Sequence, residues 1–159
     1  MDAPILLKRL PLPDGLVIDF KPAKDGDAGI DLYNASPIPI VVPIGRAIAI
    51  PSGICVKVPK GWVGMIKARS STFMKKGLFV VGGVIDAGYT GPLYTVVWNP
   101  GLTSPHWEDG LSPTAPVVIQ PGERVSQLVV VPHHSNHVIE VENMPVTERG
   151  ESGFGSTGA

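Results

Sequence analysis

The residues best equipped for chemistry stand in one glycine-rich turn, Gly82-Gly83-Val84-Ile85-Asp86-Ala87-Gly88-Tyr89-Thr90-Gly91. It sets one carboxylate and one aromatic side chain among glycines that let a ligand press against backbone. Apolar β-type runs at residues 78–81 and 93–98 flank it, so the acid is placed to act on a molecule held in the turn; a plain Asp-x-Gly hairpin has the same composition. A second group suits an anion. Arg69 offers a bidentate guanidinium, and Ser70 and Ser71 offer hydroxyls and amides at the start of the one helix the pattern predicts. Gln127 is a polar residue within the apolar run 125–131 and needs partners if buried. Asp31 is a carboxylate borne on the alternating strand 28–34.

The elements that must position these groups are short and extended. A chain of 159 residues suggests one domain with a real core, and 17 prolines with 19 glycines leave few windows for a helix. Short β-branched runs closed by Gly, Pro or Asn argue for an all-β sandwich, barrel or jelly roll. The predicted strands are 5–10, 16–20, 28–34, 38–42, 46–51, 54–58, 62–67, 78–81, 93–98, 117–120 and 125–131. Residues 69–77 form the predicted helix, with Ser70 or Ser71 capping its start, Gly77 ending it, and Lys75 and Lys76 in the last turn. The long connection 100–116 carries Trp107 and reads either as a contact point for a protein partner or as a surface excursion. The closing stretch, with Arg149 and Phe154 among glycines and hydroxyls, reads as a flexible tail or as an arm that orders over a ligand. It lacks the Gly-Lys-Ser/Thr ending of a P-loop.

Composition also excludes. A net charge of −1 offers no basic face, so direct nucleic-acid binding is not expected, whereas a nucleotide can be met by a few local groups and a metal. No apolar run approaches the roughly 18 residues of a membrane span. Met1-Asp2-Ala3-Pro4 lacks a basic region leading into a signal core, so a cytoplasmic protein is expected. Cys55, the only cysteine, reads as a buried, reduced core thiol. His133, His134 and His137 have no cysteine or carboxylate cluster to complete a tetrahedral set, so they read as loop histidines rather than a zinc site.

Five stretches in order resemble the five motifs of the homotrimeric dUTP diphosphatases (dUTPases). They are Ala28-Gly29-Ile30-Asp31-Leu32, then Ala68-Arg69-Ser70-Ser71 through Lys76-Gly77, then Gly83 to Gly91. Pro121-Gly122-Glu123-Arg124-Val125-Ser126-Gln127-Leu128 follows, and Arg149-Gly150 through Gly153-Phe154-Gly155-Ser156-Thr157-Gly158 ends the set. The resemblance implies a distorted jelly-roll β-barrel over residues 1–147 with one short helix, and a mobile arm over 148–159 that closes on a neighbouring subunit. It implies a homotrimer with three sites at subunit junctions. The first, second and fourth motifs come from one subunit, the hairpin from a second and the arm from the third. The reaction implied is dUTP and water to dUMP and pyrophosphate with Mg²⁺, which limits uracil in DNA and supplies dUMP.

The same resemblance assigns roles. Asp86 orients and deprotonates the water that attacks the α-phosphate, and Arg69, Ser70, Ser71 and Gln127 line the triphosphate. Asp31 serves the metal through its water shell or organises the site. Backbone groups around Gly83, Val84 and Ile85 read uracil, Gly82 and Gly83 leave no room for a thymine methyl, and Tyr89 is the sugar platform. Phe154 stacks on the base while Arg149, Gly155, Ser156 and Thr157 close over the distal phosphates. Gly88, Ser71 and Ser152 depart from the commonest family pattern without removing a group the mechanism needs. The dCTP deaminases share the fold, but their glutamate three residues before a strand-ending asparagine is replaced here by Val96 ahead of Asn99. A nucleotide-switched regulatory module using the 100–116 loop is a further alternative.

Overall fold

A computed structural model describes residues 4–20, 24, 26–101, 115–134, 138–148 and 150. In chain order the elements are β1 (Leu6–Arg9), β2 (Gly29–Tyr33), β3 (Ile40–Val42), β4 (Ala47–Lys57), β5 (Trp62–Ala68), helix α1 (Ser70–Lys76), β6 (Phe79–Val81), β7 (Gly83–Ile85), β8 (Pro92–Trp98), β9 (Val117–Ile119) and β10 (Arg124–Pro132). One sheet has the order β1-β4-β8-β6, the other β2-β10-β5-β7, and β3 pairs β9 in a two-stranded ribbon. Every pairing is antiparallel. The architecture is the expected distorted jelly roll.

Alternation builds the core. Along β8, Leu93, Thr95 and Val97 point inward while Tyr94 and Trp98 face out, the period-two pattern of a half-buried strand. One core joins both sheets through Leu32, Ile66 and Leu128 from one and Ile54, Val56 and Leu93 from the other. A second holds Val42 and Ile119 of the ribbon against Ile50, Val97 and Val125. Several buried polar groups are tied across elements, whereas the buried Ser52 hydroxyl has no partner among the described residues. Asn34 Nδ2 donates to Ile119 O and Asn99 Nδ2 to Val42 O, each at 3.0 Å, and the Thr95 and Ser126 hydroxyls meet at 2.5 Å between the sheets.

Several expectations change. Residues 16–20 form no ladder, yet Ile18 and Phe20 are buried in the core, because alternation reports which side chains face inward and not whether a neighbour strand is present. The two strands expected at 46–51 and 54–58 are one, β4, with a register shift between Pro51 and Cys55. Gly53 sits in that bulge at φ 73°, and a Cβ on it would stand 2.8 Å from both Ala35 and Leu12 side-chain carbons, so only glycine fits. Neither Ser70 nor Ser71 caps the helix. Arg69 occupies the N-cap position with no side-chain cap bond, whereas Gly77 ends the helix in the left-handed conformation as expected. Cys55 is half-buried rather than fully enclosed.

Among the described residues no helix is long and apolar enough to cross a membrane. None of their His, Cys, Asp and Glu side chains cluster in threes to hold a metal, and His133 and His134 are exposed. His137, Trp107 and most of the 100–116 connection lie outside the described residues, as does the arm apart from Glu148 and Gly150.

Candidate active site

Register carries three of the sequence-predicted residues together. Asp31 on β2 lies directly opposite Gln127 on β10, which lies opposite Lys67 on β5, so the side chains share one face at the end where β5 runs into Arg69. The result is a cleft of about 260 Å³ lined by Asp27, Gly29, Asp31, Arg69, Ser70, Arg124 and Gln127. Asp31 is buried, and its two oxygens are divided between two guanidiniums. Arg69 Nη1 bonds to Oδ1, and Arg124 Nη1 lies 3.4 Å from Oδ2. Among the described residues, the carboxylate is therefore held by arginines and not by backbone. Burial lowers the Arg69 pKa from the usual arginine value, with the like charge of Arg124 adding to the effect. A guanidinium still stays charged at neutral pH. Arg69 Nε is buried without an acceptor, leaving one donor uncompensated.

Gln127 is half-buried; its amide nitrogen donates to Ala68 O at 3.1 Å, and its Oε1 packs over Gly29. A Cβ on residue 29 would meet that oxygen at 2.6 Å, so the glycine is the floor on which Gln127 rests. The helix behind the cleft is fixed at three points. Thr72 Oγ1 donates to Val125 O at 2.7 Å, and Lys76 Nζ reaches both Val118 O and Glu123 Oε1 at 2.8 Å. Ser70 is exposed and Ser71 half-buried, the latter lining a neighbouring hollow with Lys75, Lys76 and Arg124.

Arg124 was not singled out from the sequence. It stands three positions before Gln127, an offset that in a regular strand would set the two on opposite faces. The β10 register shifts between Arg124 and Ser126, so two residues there oppose one step of β2, and Val125 and Ser126 are buried in succession. This bulge turns Arg124 back toward Asp31. The apolar residues Val125 and Leu128, three positions apart and so out of step with alternation, were the available signal.

The glycine-rich turn is more than a hairpin. β6 pairs β8 in one sheet while β7 pairs β5 in the other, so the chain changes sheets at Gly82. β7 is an outer strand, and alternate residues of Gly83, Val84 and Ile85 turn N–H and C=O groups away from β5. That open edge borders a pocket of about 250 Å³ lined by Ile66, Gly83, Val84, Ile85, Tyr89, Leu93 and Tyr94. Tyr89 Oη donates to Pro92 O at 2.8 Å, and the Tyr89 N–H donates to Asp86 O at 3.0 Å, closing the turn. Asp86 itself is exposed at the end of β7.

Within one chain Gln127 and Asp86 stand well apart. Gln127 lies opposite Lys67, whereas Ile85 lies opposite Gly64, so Asp86 falls beside Val63. Four residues along and two strands across amount to about 13 Å by about 10 Å, or roughly 16 Å from Gln127 to Asp86. One chain thus offers a cleft where Arg69 and Arg124 stand with two carboxylates, Asp27 and Asp31, and separately an apolar pocket with open backbone groups and an acid at its rim.

Magnesium keeps several waters and takes one or two carboxylates together with substrate phosphates. The cleft suits that habit. Asp31 has about four acceptor directions, of which the arginines use two, leaving lone pairs for water. Its surroundings fit an ion that arrives with a polyphosphate and is held through water. The position of the deaminase glutamate is filled by Val96, which faces Ala49 of β4 in the ladder.

The family model described as dUTPase matches residues 17–158. The deoxyuridine 5'-triphosphate nucleotidohydrolase of Corynebacterium diphtheriae is 39% identical over 135 residues, spanning 84% of this chain and 80% of the relative. That of Mycobacterium marinum is 35% identical over 156 residues, spanning 94% and 88%. Among solved structures, the dUTPase of Staphylococcus bacteriophage 80alpha with dUPNHPP matches with TM-score 0.75 at 27% identity, over 99% of this chain and all 100% of that one. The phage protein is described as controlling transfer of virulence genes by a proto-oncogenic G protein-like mechanism.

Proposed function

The chain belongs to the dUTPase family, and from that premise we propose that it hydrolyses dUTP to dUMP and pyrophosphate at sites shared between subunits of a homotrimer. The observation that carries the proposal is the presence of two separate hollows, an arginine-bearing cleft and a hairpin pocket, with Gln127 and Asp86 roughly 16 Å apart in one chain. Further support comes from residues 138–146, where Val138, Ile139, Met144 and Val146 are 97%, 78%, 80% and 102% exposed. Apolar side chains this bare are a surface awaiting another chain.

In this reading uracil enters the hairpin pocket of one subunit. The open edge of β7 pairs with its N3–H and flanking carbonyls, and cytosine, with its donors and acceptors reversed, strands those backbone groups. Gly82 and Gly83 keep the strand close enough to refuse a 5-methyl group. The Tyr89 ring underlies the deoxyribose. The triphosphate runs into the cleft of the neighbouring subunit, where Arg69, Ser70, Ser71 and Gln127 bind its oxygens. Arg149, Phe154, Gly155, Ser156 and Thr157 come from the arm of the third subunit and cover the nucleotide, excluding bulk water. Asp31 holds Arg69 and Arg124 in place, and its remaining lone pairs would hold Mg²⁺ through water, where the ion's charge would offset that of the phosphates.

Asp86 then takes a proton from a water in line with the α-phosphorus. The new bond joins that oxygen to phosphorus, the α–β anhydride bond breaks, and pyrophosphate leaves with the electron pair. Free nucleotides as substrates suit a cytoplasmic enzyme. Pyrophosphate release measured in parallel with dUTP, dCTP, dTTP and UTP tests the proposal. Turnover of dUTP alone is expected, while ammonia from dCTP would indicate deamination instead. Removing residues 149–159 should leave a folded trimer with little activity.

A regulatory role beside catalysis is favoured by the likeness to the phage 80alpha protein. The 100–116 connection is its proposed contact surface, and capture of a partner by the full chain but not by one with a shortened loop is the expected result.

A further inference from the structure

Residue 91 is glycine on account of a side chain two positions away. Its backbone is not among the positive-φ glycines, so the conformation itself would accept any L-residue. What refuses one is Tyr89. A Cβ on residue 91 would stand 2.7 Å from the Tyr89 hydroxyl, 2.8 Å from Cζ and 3.1 Å from Cε2, where carbon contacts normally settle at about 3.5–4.0 Å. The ring is a rigid plate hinged at two bonds, so its far end cannot yield alone. It is also fastened, since Oη donates to Pro92 O at 2.8 Å. The ring therefore lies folded over Gly91 while forming one wall of the hairpin pocket with Gly83, Val84 and Ile85.

We propose that Gly91 is a positioning residue for sugar selectivity. The space above its Cα is the seat that lets the Tyr89 ring lie against the turn with its hydroxyl locked to Pro92, in the place a ribose 2′-hydroxyl would need. The inference rests on the reading of Tyr89 as the sugar platform. It divides the discrimination between a ring that fills the space and a seat that keeps the ring there.

The test compares kcat/KM for dUTP and UTP in the full-length protein and in Gly91→Ala, Tyr89→Ala, Tyr89→Phe and the Gly91→Ala/Tyr89→Ala double variant, each checked for fold by circular dichroism. Gly91→Ala should lower the dUTP:UTP ratio by about ten-fold, the scale on which a pocket judges one small group. Tyr89→Phe, which keeps the ring but loses the lock to Pro92, should lower it less. Tyr89→Ala should lower the ratio strongly, and adding Gly91→Ala to it should lower it no further, because no ring remains to displace. If Tyr89→Ala lowers the ratio and Gly91→Ala does not, the seat is disproved while the platform stands. An unchanged ratio in Tyr89→Ala removes the platform itself. Equal losses from Gly91→Ala with and without the ring would show that the glycine acts by another route.

Discussion

Arg124 reaches Asp31 only because of the bulge in β10: its Nη1 lies 3.4 Å from Oδ2 while Arg69 holds Oδ1 of the same carboxylate. The acid is the shared counter-ion of two cations that would otherwise repel each other at the mouth of the cleft.

Replacing Asp31 by Asn should therefore leave two guanidiniums facing one another without an anion. Losing a buried partner is costly, but Arg124 is half-exposed and solvent screens part of the effect, so the expected destabilisation is about 1–3 kcal/mol. Thermal unfolding would show a lower Tm for Asp31→Asn, and added salt should recover part of the difference by screening the arginines. KM for dUTP should rise as well, since Arg69 is no longer held.

Gly29→Ala tests how Gln127 is set. The new methyl would meet Gln127 Oε1 at 2.6 Å, Cβ at 3.2 Å and Cδ at 3.3 Å; the amide end can swing away at the cost of its bond to Ala68 O, and the Cβ contact asks β2 and β10 to part by a few tenths of an ångström. A rise in KM of roughly ten-fold with a modestly lower Tm is expected. In a Gln127→Ala background the same substitution should raise KM little further, because the amide it displaces is already gone, while the small loss in Tm from the Cβ contact remains.

Ser126→Ala probes the link between the sheets. Its hydroxyl and that of Thr95 satisfy each other at 2.5 Å and are both buried. Removing one strands the other, at a cost of about 1–3 kcal/mol in denaturant unfolding, whereas Thr95→Val with Ser126→Ala should be closer to neutral than the single change.

Much of this was legible in the sequence, for definite reasons. β2, β5 and β8 announced themselves through alternation and boundary glycines or prolines, and Gly77 marked the end of α1 because a left-handed terminus wants glycine. Asp31, Arg69 and Gln127 could be brought to one place through their motifs. What stayed hidden depended on register. The β10 bulge that recruits Arg124, the merging of two expected strands into β4, and the change of sheet at Gly82 all arise from pairing between distant segments. A pattern of apolar residues fixes which face is buried, but it does not say which strand lies alongside. Lys76 likewise read as a dipole-facing charge, and its contact with Glu123 became evident only once α1 was seated on the turn before β10.

Subunit mixing addresses the proposed division of each site between chains directly. Asp86→Asn disables the hairpin and Arg69→Gln the phosphate cleft, and each homotrimer should be inactive toward dUTP. The two variants, co-expressed with different tags and purified through both, should recover pyrophosphate release, because some junctions then combine an intact cleft with an intact hairpin. Mixed trimers as inactive as their parents would contradict the account.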